Sequence, residues 1–533
     1  MEPLTDFRDK EFLEQITALT EVESSKDQNA VDPLCELLIE PVGDDAVDTM
    51  VRNTLRTLLL EHEAQAISRI NSDFGRIRDF CVGIVGEKRL GSAAPGLIKL
   101  EKKEDDPEVL IGVLNAMARI QAPEFLDAFR RHASSKDPLL AGIAIKALGE
   151  YKDKESIGLL KVIVSANEED DRYERCDLST WSAIDGLAAM DSPEALEFLV
   201  EKIHHRNPTA RRLVHGALTR IGEPAVKPLS EKFKNGDTDE RIMAANVLGF
   251  IGHRSAADVL LDSLEREVLD HNVAFAAYEA LGDIKGMKVL VALMDNLPKV
   301  AEQSMLLAIV GALDKQIDAS VGKNLLPKFK EFSQQDPDHW NNVLSAVVQS
   351  GSAELFAVLV QDPDTGSDMI ELAKSKADPE TAGIFRQKLA EQGDPRADLV
   401  EAVQKASDRP SMLAVDDSGA MRSFYRASAD ELGVDVTVAE NGRVAWELLE
   451  SGQTFDVMVV DMNMPEMDGI ELTSRIRGKE ELARTPIVMA TTESEKSQAQ
   501  LAKKAGVNAF LVKPFKADIL ANKVKKFLPE KEG

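Results

Sequence analysis

Cysteine is scarce in this sequence. Cys35, Cys81 and Cys176 are the only three in 533 residues, and they lie far apart. They form neither a CxxC pair nor a disulfide framework, which suits a reducing compartment. Aromatic residues make up only 5%, so the cores must be built from Leu, Ala, Ile and Val. No apolar run approaches 18 residues, which excludes a membrane-spanning helix. The first residues, "MEPLTDFRDKEF", are acidic and polar, unlike a signal peptide. Positive charge is also short: 64 Lys+Arg face 92 Asp+Glu, a net charge of −28. Residues 411–533 hold 16 basic and 20 acidic side chains, or −4, leaving −24 on the remainder. Such a surface repels phosphate backbones and anionic lipid. The expectation is a cytoplasmic protein with neither nucleic acid nor a membrane as partner.

What is present is a repeat. Asp106, Asp137, Asn207, Asp237 and Asp270 each precede an apolar residue 11 positions on: Met117, Leu148, Leu218, Leu248 and Leu281. Asp and Asn accept hydrogen bonds from the unpaired N–H groups of a first helical turn. Pro107, Pro138 and Pro208 follow three of these caps directly, at the position where proline forfeits no helical bond. The landmarks Val85, Met117, Leu148, Leu187, Leu218, Leu248, Leu281 and Leu313 are spaced by 32, 31, 39, 31, 30, 33 and 32 residues. A second amphipathic run follows most of them, such as "IGEPAVKPLSEKF" (221–233) and "IGHRSAADVLLDSL" (251–264). Helix–turn–helix units of this length cannot bury their apolar faces alone and must stack on neighbours.

The runs "AIKALGEY" (144–151), "AANVLGFI" (244–251) and "AAYEALGDI" (276–284) resemble HEAT repeats. The resemblance implies an all-α solenoid over residues 1–395, with weaker units at "VRNTLRTLL" (51–59) and "NNVLSAVVQSG" (341–351). The 39-residue step contains "SANEEDDRYERCD" (165–177), an inserted loop read either as a solvated acidic loop or as a partner contact. His204-His205 has no second His or Cys cluster nearby in sequence. Metal sites need three or four converging ligands, so the pair reads as part of a turn.

From Ser411 the period changes. Short apolar runs at 411–415, 435–439, 457–460, 486–490 and 509–512 alternate with amphipathic helices near 418–432, 442–451, 469–477, 495–505 and 516–528. This alternation predicts a doubly wound α/β domain with a five-stranded parallel sheet of the flavodoxin-like kind. Ligands bind such sheets at the carboxyl ends of the strands. Asp416-Asp417, Asp461, Ala490-Thr491-Thr492 and Lys513-Pro514 stand at those ends. Crowded carboxylates repel, and Mg²⁺ relieves them while still binding phosphate oxygens. A lysine and a hydroxyl beside them suit a phosphoryl group, so the strand ends spell a phosphoryl-transfer site with an aspartate nucleophile.

The motifs "VDDSGAMR" (415–422), "VVDMNMPEMDG" (459–469), "MATTE" (489–493) and "FLVKPF" (510–515) resemble the receiver domain of two-component response regulators, and most closely the single-domain chemotaxis type. The resemblance implies that Asp461 takes a phosphoryl group from a phosphohistidine on a sensor histidine kinase or phosphotransfer protein. Asp416, Asp417, Asp461 and the Asn463 backbone carbonyl would hold Mg²⁺. Lys513, with a cis bond to Pro514, would pair with the phosphoryl group. Thr491 and Phe510 would form the switch, Thr492 would leave ordinary access, and Asn463 and Glu493 would tune dephosphorylation. Ala499, Val507 and Phe510 would mark a partner face on the fourth helix, fifth strand and fifth helix.

The expectation is that no further output module follows residues 411–533 and that the output is the solenoid, joined through a helical linker at 396–410. The resulting reading is a bacterial response regulator of a chemotaxis-type phosphorelay, a phosphorylation-controlled scaffold rather than an enzyme. It has an unidentified protein partner for the solenoid. Two alternatives stand beside it: a phosphate sink that a constitutive scaffold localises, and a HEAT-like enzyme that the receiver regulates.

Overall fold

The computed structural model describes residues 2–168, 176–266, 269–400, 409–492 and 496–528. Helices fill the chain from Phe12 to Glu391, and a five-stranded α/β region follows from Ser411. The eight landmarks are all buried in their helices, at 0–1% exposure. All five capping residues do cap. Asp106 accepts from Glu108 N at 2.9 Å, Asp137 from Leu139 N at 2.8 Å and Asn207 from Ala210 N at 2.9 Å. Asp237 accepts from Glu240 N at 2.8 Å and Asp270 from Asn272 N at 2.9 Å. His205 is a buried turn residue whose Nδ1 accepts from Asn207 N.

Two compact units divide the chain: one comprises the residues up to Asn167 with Cys176–Ala195, and the other comprises Glu168 and the residues from Leu196 onward. In the first, helices Gly75–Glu87, Pro107–Ile120, Pro138–Glu150 and Leu178–Ala189 pack each on the next. In the second, Pro208–Ile221, Thr238–Ile251, His271–Asp283, Gln303–Gln316 and Pro337–Ser350 do the same. The glycine of the "ALG" run is what allows the close approach. A Cβ on Gly149 would stand 2.7 Å from the Gly186 Cα, and one on Gly249 would stand 2.8 Å from the Ala280 Cα. Residues 169–175, most of the inserted acidic loop, lie outside the described residues.

The second unit also contains the α/β region, because that region packs on the repeats. Its elements are β1 (Ser411–Val415), α1 (Gly419–Ala427), β2 (Asp435–Ala439), α2 (Gly442–Glu450), β3 (Val457–Asp461), α3 (Gly469–Gly478), β4 (Ile487–Thr491), α4 (Lys496–Ala505), β5 (Ala509–Val512) and α5 (Ala517–Val524). The sheet is wholly parallel, in the order β2-β1-β3-β4-β5. Every residue of β3 and β4 is buried, as expected of central strands covered on both faces. Leu413, Met458, Val460 and Ile487 pack on one side with Leu449 and Leu472. Of the expected 396–410 linker, Arg396 to Leu399 fall in a 3-10 segment, Pro395–Leu399, which Arg396 ties to the Val360 carbonyl. Residues 401–408 lie outside the described residues.

Candidate phosphoryl-acceptor site

Two strand ends bring the acidic residues together. Asp416 follows β1, Asp461 is the last residue of β3, and Asp417 stands beside Asp416. Ligand oxygens from the three carboxylates lie within 4.8 Å of one another. At that spacing each like-charge pair costs roughly 3 kcal/mol for an effective dielectric of about 20. Lys513, just past β5, reaches two of them: its Nζ is 2.8 Å from Asp416 Oδ2 and 3.0 Å from Asp461 Oδ1. One ammonium against three carboxylates leaves the cluster two charges short of neutral.

The titration behaviour follows from that imbalance. Asp461 is only 6% exposed. Burial pushes its carboxyl up to about 7, with Asp416 adding to the shift and Lys513 opposing it. Burial also drives half-buried Asp417 well above the carboxylate range, helped by the charges of Asp461 and Asp416. Burial works against the Lys513 ammonium, but Asp416 and Asp461 outweigh it and hold its pKa well above the usual range. The donor set is therefore all hard oxygen, crowded and negative, which is the composition that fits a divalent cation such as Mg²⁺.

The loops are fixed from below. Asp416 Oδ1 accepts from Ser418 N at 3.1 Å, and Tyr425 OH donates to Asp416 Oδ2 at 3.4 Å. Arg422 Nη1 donates to the carbonyls of Asp416 and Asp417. Gly469 passes directly beneath β3: a Cβ there would stand 2.2 Å from the Asp461 carbonyl oxygen. Thr491 ends β4, buried, with its hydroxyl toward the Met462 sulfur at 3.9 Å. Phe510 is half-buried and packs with Met462, Met489 and Ala502. The Lys513-Pro514 bond is cis. Glu493 lies outside the described residues, and Thr492 lines the cavity described below.

Residues 412–525 match the family model of the response regulator receiver domain, and residues 94–176 and 226–313 match that of HEAT repeats. The C-terminal region is a response regulator receiver domain, and HEAT repeats precede it. The receiver is 41% identical over 123 residues to a chemotaxis protein CheY homolog of Campylobacter jejuni, spanning 23% of this chain and 95% of that protein. It is also 41% identical over 114 residues to chemotaxis protein CheY1 of Helicobacter pylori, spanning 21% of this chain and 92% of that one. Among solved structures it is similar to CheY4 of Vibrio cholerae, at 34% identity and a TM-score of 0.22, covering 22% of this chain and 99% of the other. No helix among the described residues is long and apolar enough to cross a membrane.

The repeats contribute side chains that sequence reasoning missed. Arg211, 1% exposed, donates from Nη1 to Asn463 Oδ1 at 2.8 Å and from Nε to the His205 carbonyl. Thr209 donates to Asp468 Oδ2 at 2.9 Å, and Arg212 lies 3.8 Å from Asp468 and 3.5 Å from Glu471. Asn272 donates to the Lys513 carbonyl at 3.0 Å. Glu279 accepts from Ser418 Oγ at 2.7 Å. Its own carboxyl is pushed up by burial and by nearby Asp416. Arg426 on α1 pairs with Glu380 at 2.7 Å. A cavity of about 640 Å³ remains between the repeats and the strand ends, lined by Arg211, His271 and Phe275 on one side and by Asp461, Asn463 and Lys513 on the other. Among the described residues, no hydrogen bond or ion pair to the repeats involves Ala499, Val507 or Phe510. The contact with the repeats thus runs through the strand-end loops and α1.

Proposed function

We propose that this protein is a phosphorylation-controlled scaffold in which Asp461 is the phosphoacceptor and the HEAT repeats carry the output. The observation that supports it most is the trio of carboxylates within 4.8 Å, with Lys513 Nζ at 2.8 and 3.0 Å from two of them. Asp416, Asp417, Asp461 and the Asn463 carbonyl would hold Mg²⁺. The ion would supply positive charge for the carboxylates and for the phosphoryl oxygens. An Asp461 carboxylate oxygen bonds to phosphorus as the phosphorus–nitrogen bond of a phosphohistidine breaks, and the histidine keeps the electron pair. Lys513 meets the negative charge of the transferred group, and Thr491 donates to one of its oxygens. Asn463 and Glu493 set how long the group persists.

The phosphodonor in this reading is a sensor histidine kinase or a phosphotransfer protein in the cytoplasm. The α4–β5–α5 face, with Ala499, Val507 and Phe510, is open to a separate protein partner. The repeats have no enzymatic role in it. In labelling with a radioactive phosphodonor, the full chain takes up label in Mg²⁺ and loses that ability in excess chelator. Asp461→Ala takes up none under either condition. Label that persists in Asp461→Ala would overturn the assignment.

A further inference from the structure

The repeats grip the receiver on the face that any phosphodonor must approach. Each of three loops that carry site residues is held by side chains of the repeats. Glu279 holds the β1–α1 loop through Ser418, Arg211 and Thr209 hold the β3–α3 loop through Asn463 and Asp468, and Asn272 holds the β5–α5 loop at the Lys513 carbonyl. Behind them, α1 packs against helices Gln303–Gln316 and Pro337–Ser350. Asp461 is left 6% exposed.

A donor atom must come within about 3–3.5 Å of the acceptor oxygen for transfer. The cavity over Asp461 holds about 640 Å³. That admits a small molecule. It does not admit a protein domain, because a single helix with its side chains is already about 10 Å across. We infer that the strand-end mouth of the receiver is one docking surface with two mutually exclusive occupants: the chain's own HEAT repeats and the protein phosphodonor. The repeats must lift from the mouth before a phosphohistidine protein can reach Asp461, whereas a small phosphodonor can reach it with the repeats in place. This inference rests on Asp461 being the acceptor and adds how access to it is controlled.

Thr209 offers a clean test. It is the second residue of helix Pro208–Ile221, where a carboxylate is favourable to the helix. Thr209→Glu would therefore preserve the repeat while setting a carboxylate against buried Asp468. Glu380→Gln removes the partner of Arg426 and leaves a neutral side chain in the first turn of helix Pro379–Glu391. Neither residue lines the cavity, and both variants leave the receiver unaltered. The full chain and each variant are given either acetyl phosphate or a phosphotransfer domain carrying radiolabelled phosphohistidine. Thr209→Glu should take label from the protein donor about tenfold faster, the effect of about 1.4 kcal/mol on the undocked population. Its rate with acetyl phosphate should stay within about twofold of the parent. Thr209→Ser, which keeps the hydroxyl, should match the parent with both donors. Equal acceleration with both donors, or acceleration with neither, overturns the shared-mouth inference while leaving Asp461 as acceptor. Failure of both donors to label any form overturns the acceptor reading itself.

Discussion

At the scale of single residues, charge placement decides most of what this chain can do. Asp461 ends a strand whose other residues are all apolar, and Lys513 at 3.0 Å offsets only part of its burial cost. Asp314 is a second acidic side chain that burial raises, here in the repeats, from 3.8 to about 6. It accepts from Leu355 N at 2.8 Å, which an amide oxygen could do equally well. Because its folded pKa lies above the unfolded one, the folded state binds the proton more tightly. Stability therefore falls as pH rises from about 4 to 6 and is flat above. Asp314→Asn should stabilise the protein by about 1–3 kcal/mol at pH 8 and leave it unchanged below pH 4. Thermal unfolding at the two pH values measures this, and an equal shift at both would contradict it.

At the scale of elements, the repeat depends on close backbone approach as much as on its apolar stripe. Gly86, Gly149, Gly249 and Gly282 each meet the backbone of the corresponding helix one repeat later, with a hypothetical Cβ at 2.7–2.9 Å. Gly249→Ala, although it favours the helix by propensity, should cost about 1–3 kcal/mol through overpacking against Ala280. Denaturant unfolding would detect the loss, and a stabilised variant would refute the packing argument. Ion pairs link successive repeats at a similar period: Lys288–Asp258, Lys315–Asp283 and Lys330–Asp364, at 2.6–2.7 Å. Solvent and salt screen these exposed pairs, so they fix register more than stability. Helix and strand positions were legible in the sequence because caps and periods are local. The expected β3 and β4 limits move by only one residue, to Val457–Asp461 and Ile487–Thr491.

At the scale of the whole molecule, the repeats from Leu196 onward share a unit with the receiver. Stability in repeat arrays is a sum of nearest-neighbour terms, and the receiver adds one for helices His271–Asp283, Gln303–Gln316 and Pro337–Ser350. Thr209→Glu should therefore speed amide hydrogen exchange in those helices and leave Gly75–Glu87 and Pro107–Ile120 unchanged. Unchanged exchange throughout would mean that docking contributes nothing to their stability.

The sequence by itself determined the elements and the placing of Asp416, Asp417, Asp461 and Lys513 at the strand ends. Each of those depends on residues within a few positions of one another or on a family motif. Arg422 and Gly469 stood inside quoted motifs, but only packing revealed what they hold. The cover over Asp461 was decided by tertiary structure alone. Arg211 and Asn463 are 252 positions apart, and Glu279 and Ser418 are 139. No period or cap connects such pairs, because their meeting is set by the stacking of every repeat between them.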